Sequence, residues 1–366
     1  MRRFSSFRDF DWMLLTLVLL MSVISVLEIK SATLQTKFRG FDHKQIEFLV
    51  VGVVLMFLIS VIDYHWLIDL APWAYGVGIL SLVAVMLVGT KVMGGRRWIN
   101  LGGGMHFQPS EWVKLILILA VARYFWGLAG RELNWIDIGK AFAMVGIPMA
   151  LVLKQPDLGT ALTYFPVLVA GLFLGGIRIK KVAILLLGFA IVIGAAWMSG
   201  KRLKPYQQAR INSFINPDSD PKGSGYQIKQ SLIAVGSGGL WGKGTNKGTQ
   251  TQGDFLPIPY TDFIFAAFCE EHGFVGGMGI LLLYFLILTR LIQNAQQASD
   301  MPGSFIVMGV VAVILFQIVV NIGMVVGLMP VTGIPLPLMS YGGSSILFTF
   351  LALGIVMNIR MRRFVN

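Results

Sequence analysis

Long apolar runs, each separated from the next by a short polar or glycine-rich stretch, repeat along the whole chain. A run of about 18 residues or more with almost no charge can cross a hydrocarbon core of roughly 30 Å as a helix. The pattern predicts such helices at about 12–29, 45–63, 72–90, 111–128, 138–153, 158–176, 181–198, 274–293, 304–328 and 344–359. The fifth is the weakest, with Lys140 near its start and Pro148 inside it, but omitting it would put the chain ends on opposite sides of the membrane. Ten spans put both ends on one side. The first run is too long for a cleaved signal and lacks a small-residue cleavage site, so it is expected to stay as a helix. The predicted class is an all-α polytopic integral membrane protein. It forms one membrane unit over 1–366, with a large loop at 199–261 between spans seven and eight.

Composition agrees. Of 366 residues, 55% are hydrophobic and 13% charged, more apolar surface than a soluble domain of this size can hide. Cys269 is the single cysteine, which excludes an intrachain disulfide and a cysteine metal cluster. In so apolar a chain the net charge of +12 fits lipid headgroups and phosphates, not nucleic acid. Arg2, Arg3 and Arg8, then Arg178, Lys180 and Lys181, then Arg360, Arg362 and Arg363 share the side of the termini, which makes that side cytoplasmic. The opposite face departs from the rule. It carries Lys30, Lys37, Arg39 and Lys44, then Lys91, Arg96 and Arg97, and the 199–261 loop adds eight basic residues against Asp218, Asp220 and Asp254. Solvated loops touching headgroups account for any one of these lysines. Together they suit a face that handles a polyanion at headgroup depth.

Two outer connections have a pattern of their own. In 199–261, the turn signals of NPDSDPKGSGY (216–226) precede QIKQSLIAVGSGGLWGKGTNKGTQ (227–250). A helix over 227–235 would align Ile228, Leu232 and Val235 on one face, fit to lie on the membrane surface. The glycine-rich coil is not a nucleotide-binding loop, because Ser237 replaces its first glycine and Gly244 its Ser/Thr. A looser anion cradle of backbone N–H groups with Lys243 and Lys247 competes with a plain flexible loop. The second connection, MPVTGIPLPLMSYGG (329–343), has no charge and too many prolines and glycines for a regular helix. Apolar non-helical backbone at membrane depth must be buried in protein or line a cavity. It is expected as a re-entrant or packed loop with Ser340, Tyr341 and Ser344 as hydrogen-bonding groups.

Several charged residues fall at the outer ends of spans. Glu111 and Lys114 open the fourth, Asp157 opens the sixth, Asp262 precedes the eighth, and Arg97 lies just before the fourth. Ser110 is a candidate N-cap, and Glu111 with Lys114 has the i, i+3 spacing of an ion pair. Ionisable groups at such depths are costly and tend to mark function. For Glu111–Lys114 the simpler account is still a pair that fixes the helix, for Asp157 a helix cap, and for Arg96 a solvated side chain. Asp262 has no such account, since Thr261 can already cap the helix and the residues beyond are apolar through Phe268. A carboxylate against an apolar wall holds its proton more tightly, which suits a general base near neutral pH. Glu270 and Glu271 are rivals for that role; a little over two turns further on, they either sit deeper or belong to a surface helix before the span. Among the histidines only His272 is near, so neither a Ser-His-Asp triad nor a histidine metal cluster is expected. The metal, if one is used, is unknown; a hard divalent ion on carboxylate and phosphate oxygens is the expectation.

Five blocks resemble the SEDS family of shape, elongation, division and sporulation proteins: RRWINLGGGMHFQPSEWVKL (96–115), QPDLGTAL (155–162), NPDSDP through GYQIKQSLIAVGSGGLWGKGTNKGTQ (216–250), FLPIPYTDFIFAAFCEEHGFVG (255–276) and GIPLPLMSYGGSS (333–345). They cover nearly the whole chain in order, and the long outer loop and short polar N-terminus look like the elongation members. The resemblance implies a peptidoglycan glycosyltransferase that polymerises lipid II, with release of undecaprenyl pyrophosphate, on the outer face of the bacterial cytoplasmic membrane. Its implied partners are a class B penicillin-binding transpeptidase and other elongation-complex proteins. The family's essential aspartate falls on Asp262, and the family places Glu111, Lys114 and Arg97 in or beside a central outer cavity. Asp157, Lys243, Lys247 and Ser340 lie in matching blocks and complete the expected substrate-binding set. Mg²⁺ or Mn²⁺ is the cofactor expectation. Two rivals remain: a lipid II flippase, which would need a polar path reaching the cytoplasmic side where only a few groups such as Gln317 and Asn321 occur, and a non-catalytic scaffold.

Overall fold

The computed structural model describes residues 9–36, 38–92, 95–100, 106–185, 187–188 and 205–364. Arg2, Arg3, Arg8, Lys37 and most of the expected seventh span lie outside the described residues, as do the side chains of Lys91 and His106. The helices are α1 (Trp12–Thr33), α2 (Phe41–Val61), α3 (Tyr64–Val88), α4 (Pro109–Trp126), α5 (Trp135–Lys154), α6 (Leu158–Leu162), α7 (Phe165–Leu174), α8 (Pro205–Ile215), α9 (Ser224–Ser237), α10 (Thr249–Gln252), α11 (Ile264–Gln296), α12 (Met301–Val325) and α13 (Gly343–Met361). Among the described residues, α1, α2, α3, α5, α11, α12 and α13 are long and apolar enough to cross a membrane. α4 carries Glu111, Lys114 and Arg123, and α6 with α7 forms a shorter apolar stretch, so the fourth and sixth expected spans are the more polar and the more broken ones. Residues 179–185 are helical at the start of the seventh.

The helices begin where short polar side chains can take up their first N–H groups. Asp11 accepts from Leu14 N–H, Asp63 from His65 N–H, Asp157 from Thr160 N–H and Asp300 from Gly303 N–H, while Asn134 and Asp137 form a capping box. Ser110 is not such a cap. Pro109, which has no N–H to satisfy, opens α4 after Gln108, and no side chain caps it. Pro148 is accommodated inside α5.

Ion pairs gather the helix ends on the side of the termini. Asp11 at the start of α1 takes Arg290 Nε at 2.9 Å and Asn294 Nδ2 at 2.9 Å from α11, and lies 3.6 Å from Arg360 Nε of α13. His65 of α3 bridges to Asp300 before α12 at 2.8 Å, and Arg363 meets Asp9 at 3.3 Å, which puts the two described chain ends on one face. α13 packs along α2, α3 along α4, and α4 against α12. α12 and α13 are the most buried spans, whereas α3 turns Trp66, Trp73, Val77, Leu80 and Leu87 outward, as a lipid-facing helix does.

On the opposite face the connections are folded. Residues 90–107 hold short antiparallel strands β1 (Thr90–Val92), β2 (Gly95–Asn100) and β3 (His106–Phe107), with Thr90 opposite Trp98 and Ile99 opposite Phe107. The all-α expectation missed this ribbon, whose β-branched and aromatic residues favour extended backbone. In the 199–261 connection α9 lies on α11 and α12, with Ser231 Oγ donating to Val325 O at 2.8 Å. Its buried face is Ile228, Ser231 and Ala234, while Leu232 is exposed, so the register differs from the predicted one. The protein surface beneath it sets that register.

α11 is broken at Gly273, whose backbone (φ 68°, ψ −166°) leaves the helix. The break strands carbonyls before it and N–H groups after it, a costly state at membrane depth. The glycine-rich coil supplies their partners. Lys243 N–H and Gly244 N–H donate to Glu270 O (3.0 Å) and Glu271 O (2.9 Å), while Phe274 N–H and Val275 N–H donate to Gly239 O (2.8 Å) and Leu240 O (3.1 Å). The approach is so close that a Cβ on Gly242 would stand 2.1 Å from Glu271 O.

A side chain at Gly273 would stand 2.3 Å from Gly242 N and 2.6 Å from Leu240 O, both backbone atoms, in a left-handed conformation that favours glycine. Gly273→Ala is expected to lower stability by at least about 2 kcal/mol, whereas Gly279→Ala, with open space around it, stays near wild type. Thermal unfolding in detergent checks this, and equal midpoints for the two variants would refute the backbone account of the break.

Candidate active site

Asp262 lies in irregular chain between α10 and α11, and three successive carbonyls there are held by three donors. Tyr341 N–H donates to Tyr260 O at 2.9 Å, Ser340 Oγ to Thr261 O at 2.7 Å, and Asn321 Nδ2 to Asp262 O at 2.9 Å. Asn321 also donates to Ile334 O at 2.8 Å, and Ser340 Oγ accepts Leu336 N–H at 2.8 Å. The direction of the carboxylate is therefore set by α12 and by the 331–341 chain. That chain is non-helical and buried at Val331, Thr332, Ile334, Leu336, Leu338 and Met339, the packed loop its composition predicts. Phe41, Tyr260 and Tyr341 form an aromatic wall beside it.

Two cations and a second carboxylate complete the surroundings. Arg210 of α8 donates to Thr332 O at 3.2 Å and lies within electrostatic reach of Asp262. Asp157 also lies within electrostatic reach of Asp262, and its own oxygens accept Thr160 N–H (3.1 Å), Thr160 Oγ (3.0 Å) and Gln108 Nε2 (3.0 Å). Arg97 Nη1 stands 3.7 Å from Asp157 Oδ1 while the guanidinium donates to Gln155 O (3.2 Å) and Pro156 O. α6 leans on the same chain as Asp262, since a Cβ on Gly159 would be 2.7 Å from Thr332 O and one on Gly333 would be 3.4 Å from Asp262 Oδ2. Burial raises the Asp262 carboxyl, Arg210 pulls it back and Asp157 raises it further, which leaves it at about 6. Such a group exchanges its proton near neutral pH.

The other expected residues divide. Glu111 and Lys114 pair at 2.7 Å beside this group, but Lys114 is fully buried with its ammonium 4.3 Å from the centre of the Phe348 ring. Tyr164, whose hydroxyl donates to Ser110 O at 2.8 Å, lies within electrostatic reach of both Glu111 and Asp157, which links the buried pair to the surroundings of Asp262. Ser340, expected to bind substrate, spends its hydroxyl on the backbone at Thr261 and Leu336. Lys243 is not a free cation either: its Nζ is 2.7 Å from each of Ser237 Oγ, Thr249 Oγ1 and Glu270 Oε1. Glu270 is fully buried and also takes Gln250 N–H at 2.8 Å and Thr251 N–H at 3.1 Å, which makes it the cap of α10. Of the proposed cradle only Lys247 is exposed.

Three contributors escaped sequence reasoning. Arg210 was one of eight basic residues in a loop, with nothing to single it out. Gln108 lies inside the 96–115 block but carries no charge. Asn321 left a legible signal, because it lies one helical turn from Gln317 inside an otherwise apolar run. As for a divalent ion at this place, Asp157 has its oxygens engaged, and Arg97 and Arg210 already supply positive charge. The donor set does not suit a resident cation beside Asp262.

Comparison with known proteins covers the full length. Residues 8–364 match the FtsW/RodA/SpoVE family, described as cell cycle proteins. The chain is 33% identical to the peptidoglycan glycosyltransferase RodA of Treponema pallidum over 97% of this chain and 98% of that one. It is 37% identical to stage V sporulation protein E of Bacillus subtilis, over 95% and 96%. Among solved structures it superposes with a TM-score of 0.84 and 31% identity on a chain of a peptidoglycan synthase complex that coordinates polymerization and crosslinking, over 98% of this chain and 99% of that one.

The two lysines of the glycine-rich coil should separate in stability. Lys243→Met leaves Glu270 without its cation and is expected to cost roughly 2–3 kcal/mol, below the full cost of a buried pair because the Gln250 and Thr251 donors remain. Lys247→Ala should stay within about 0.5 kcal/mol of wild type. Thermal unfolding of both variants decides it, and a wild-type midpoint for Lys243→Met would mean that the coil does not depend on this pair.

Proposed function

Because this chain belongs to the FtsW/RodA/SpoVE family, we propose that it is a peptidoglycan glycosyltransferase, multi-pass in the bacterial cytoplasmic membrane, which polymerises lipid II into glycan strands at the outer face with Asp262 as general base. The observation that carries this is the Asp262 carboxyl itself, held through three carbonyls, poised at about 6 and set between Arg210 and Asp157. In the reaction an acceptor sugar hydroxyl gives its proton to Asp262 as its oxygen attacks the anomeric carbon of the donor. The bond from that carbon to the lipid pyrophosphate breaks, and the centre inverts, as in glycosidases that use a carboxylate base. Arg97 and Arg210 offset the charge that develops on the leaving pyrophosphate. Asp157 with Gln108 holds Arg97 in place, and Glu111–Lys114 fixes the outer end of α4.

The family's relative in a peptidoglycan synthase complex supports a class B penicillin-binding protein as partner. We assign the chain to cell elongation on the long 199–261 connection, and treat 1–366 as one membrane unit. A flippase reading gains nothing from the cytoplasmic end, where Asp11, Arg290 and Arg360 are spent on one another.

Lipid II polymerisation by the reconstituted protein with its transpeptidase partner tests the reading. Asp262→Asn is expected to lose at least about 10²-fold in strand synthesis. Wild-type activity should rise with pH through about 6 and then level off, because the base acts deprotonated. A folded Asp262→Asn protein with undiminished synthesis would sink the base assignment, and transfer of labelled lipid II between leaflets without polymer would favour the flippase.

The same carboxyl makes a stability prediction of opposite sign. A folded-state value raised to about 6 means that the folded protein binds this proton more tightly than the unfolded chain, so its contribution is present at low pH and lost as pH rises through about 6. Asp262→Asn, which cannot ionise, should match wild type in thermal midpoint near pH 4 and exceed it near pH 8. A midpoint difference independent of pH would show that the carboxyl is not perturbed.

A further inference from the structure

A second cluster of ionisable side chains shares no residue with the Asp262 group. Glu28 near the outer end of α1, and Glu271 and His272 at the break in α11, bring one ligand atom each within 4.8 Å of one another. Glu28 and Glu271 are 2% and 1% exposed. Glu28 Oε1 and Glu271 Oε2 are both buried without a hydrogen-bond partner among the described residues. The remaining contacts are few: Ser31 Oγ donates to Glu271 Oε1 at 2.5 Å, and His272 Nδ1 lies 3.8 Å from Glu28 Oε2 and 3.3 Å from Phe268 O.

Charge counting makes this arrangement incomplete as it stands. Glu270, the third carboxylate in electrostatic reach of Glu28, is neutralised by Lys243. Lys30 lines the adjoining cavity but is itself exposed. That leaves two buried carboxylates facing each other with a histidine between them and water. Two carboxylates at such a place are tolerated only with a bound cation or a shared proton. Unpaired oxygens on both favour the cation, since a single shared proton would be expected to bring the two carboxyls together as hydrogen-bonded partners.

We propose that Glu28, Glu271 and His272 bind a divalent first-row transition-metal ion such as Mn²⁺ or Zn²⁺. Two carboxylate oxygens and one imidazole nitrogen suit these ions better than Mg²⁺ or Ca²⁺, which prefer oxygen alone. Ligands about 2.0–2.2 Å from an ion stand roughly 3–4 Å apart, so the cluster needs only a small contraction to close. Access comes from a cavity of about 390 Å³ lined by Glu28 and His272 together with Ile24, Leu27, Thr245 and Asn246. The ion would tie α1 to α11 beside Gly273, where the glycine-rich coil already pairs with Glu271 O. The proposal is independent of the role given to Asp262.

Metal-stripped full-length protein in nanodiscs, titrated with Mn²⁺ and read by the loss of the free-ion EPR signal, tests it. One tight site per chain is expected, with a rise in thermal midpoint on binding. Glu28→Gln should weaken binding at least tenfold, and Asp262→Asn should leave it unchanged. The bound ion should show nitrogen modulation in pulsed EPR that disappears in His272→Gln, a partly exposed position where the fold is under less strain. Absence of tight binding in wild type would overturn the proposal. So would Glu28→Gln or His272→Gln behaving as wild type, or loss of binding in Asp262→Asn.

Discussion

The break of α11 at Gly273 is the constraint from which much of the outer face follows. A membrane helix that stops and restarts exposes peptide groups that neither lipid nor its own turns can satisfy. Backbone from the glycine-rich coil meets that need at Glu270, Glu271, Phe274 and Val275. Only glycines can come so near, which is why the coil has a composition that looks like a phosphate loop and a different purpose. Lys243 then reaches Glu270, and Glu270 starts α10, so one break organises the end of the long connection.

That organisation holds the stretch that carries Asp262. The chain leaves α10, passes through the irregular residues around Tyr260 and enters α11 with its carbonyls bonded to Asn321, Ser340 and Tyr341. The chain around the carboxylate is held through its backbone carbonyls, and among the described residues no hydrogen bond to the Asp262 oxygens is seen. Its elevated proton affinity comes chiefly from burial, with Arg210 and Asp157 acting in opposite senses.

The charged residues at the outer ends of spans take up different work according to burial. Glu111–Lys114 is a buried ion pair closed off from solvent. Asp157 is as buried as Glu111, Arg97 beside it is partly exposed, and Lys247 remains in solvent. On the side of the termini, Arg290, Arg360 and Arg363 bind Asp11 and Asp9, so part of the positive charge that marks the cytoplasmic face is held by protein carboxylates and is not free for lipid headgroups.

Apolar run length, the distribution of charge and five motif blocks were enough to read from the sequence a polytopic helical protein of this family and to single out Asp262 as a candidate residue. These are local properties: a run is long or short, and a carboxylate lies beside apolar residues or does not. Pairing between distant segments was not legible. Nothing in the order of residues told that Lys243 would be used up by Glu270, that Ser340 would hold the backbone at Thr261, that Arg210 out of eight basic residues would reach Asp262, or that Glu28 would meet Glu271 and His272. Each depends on which separate segments of the chain come together, and only the tertiary structure decides that, because burial and distance set what a charge does.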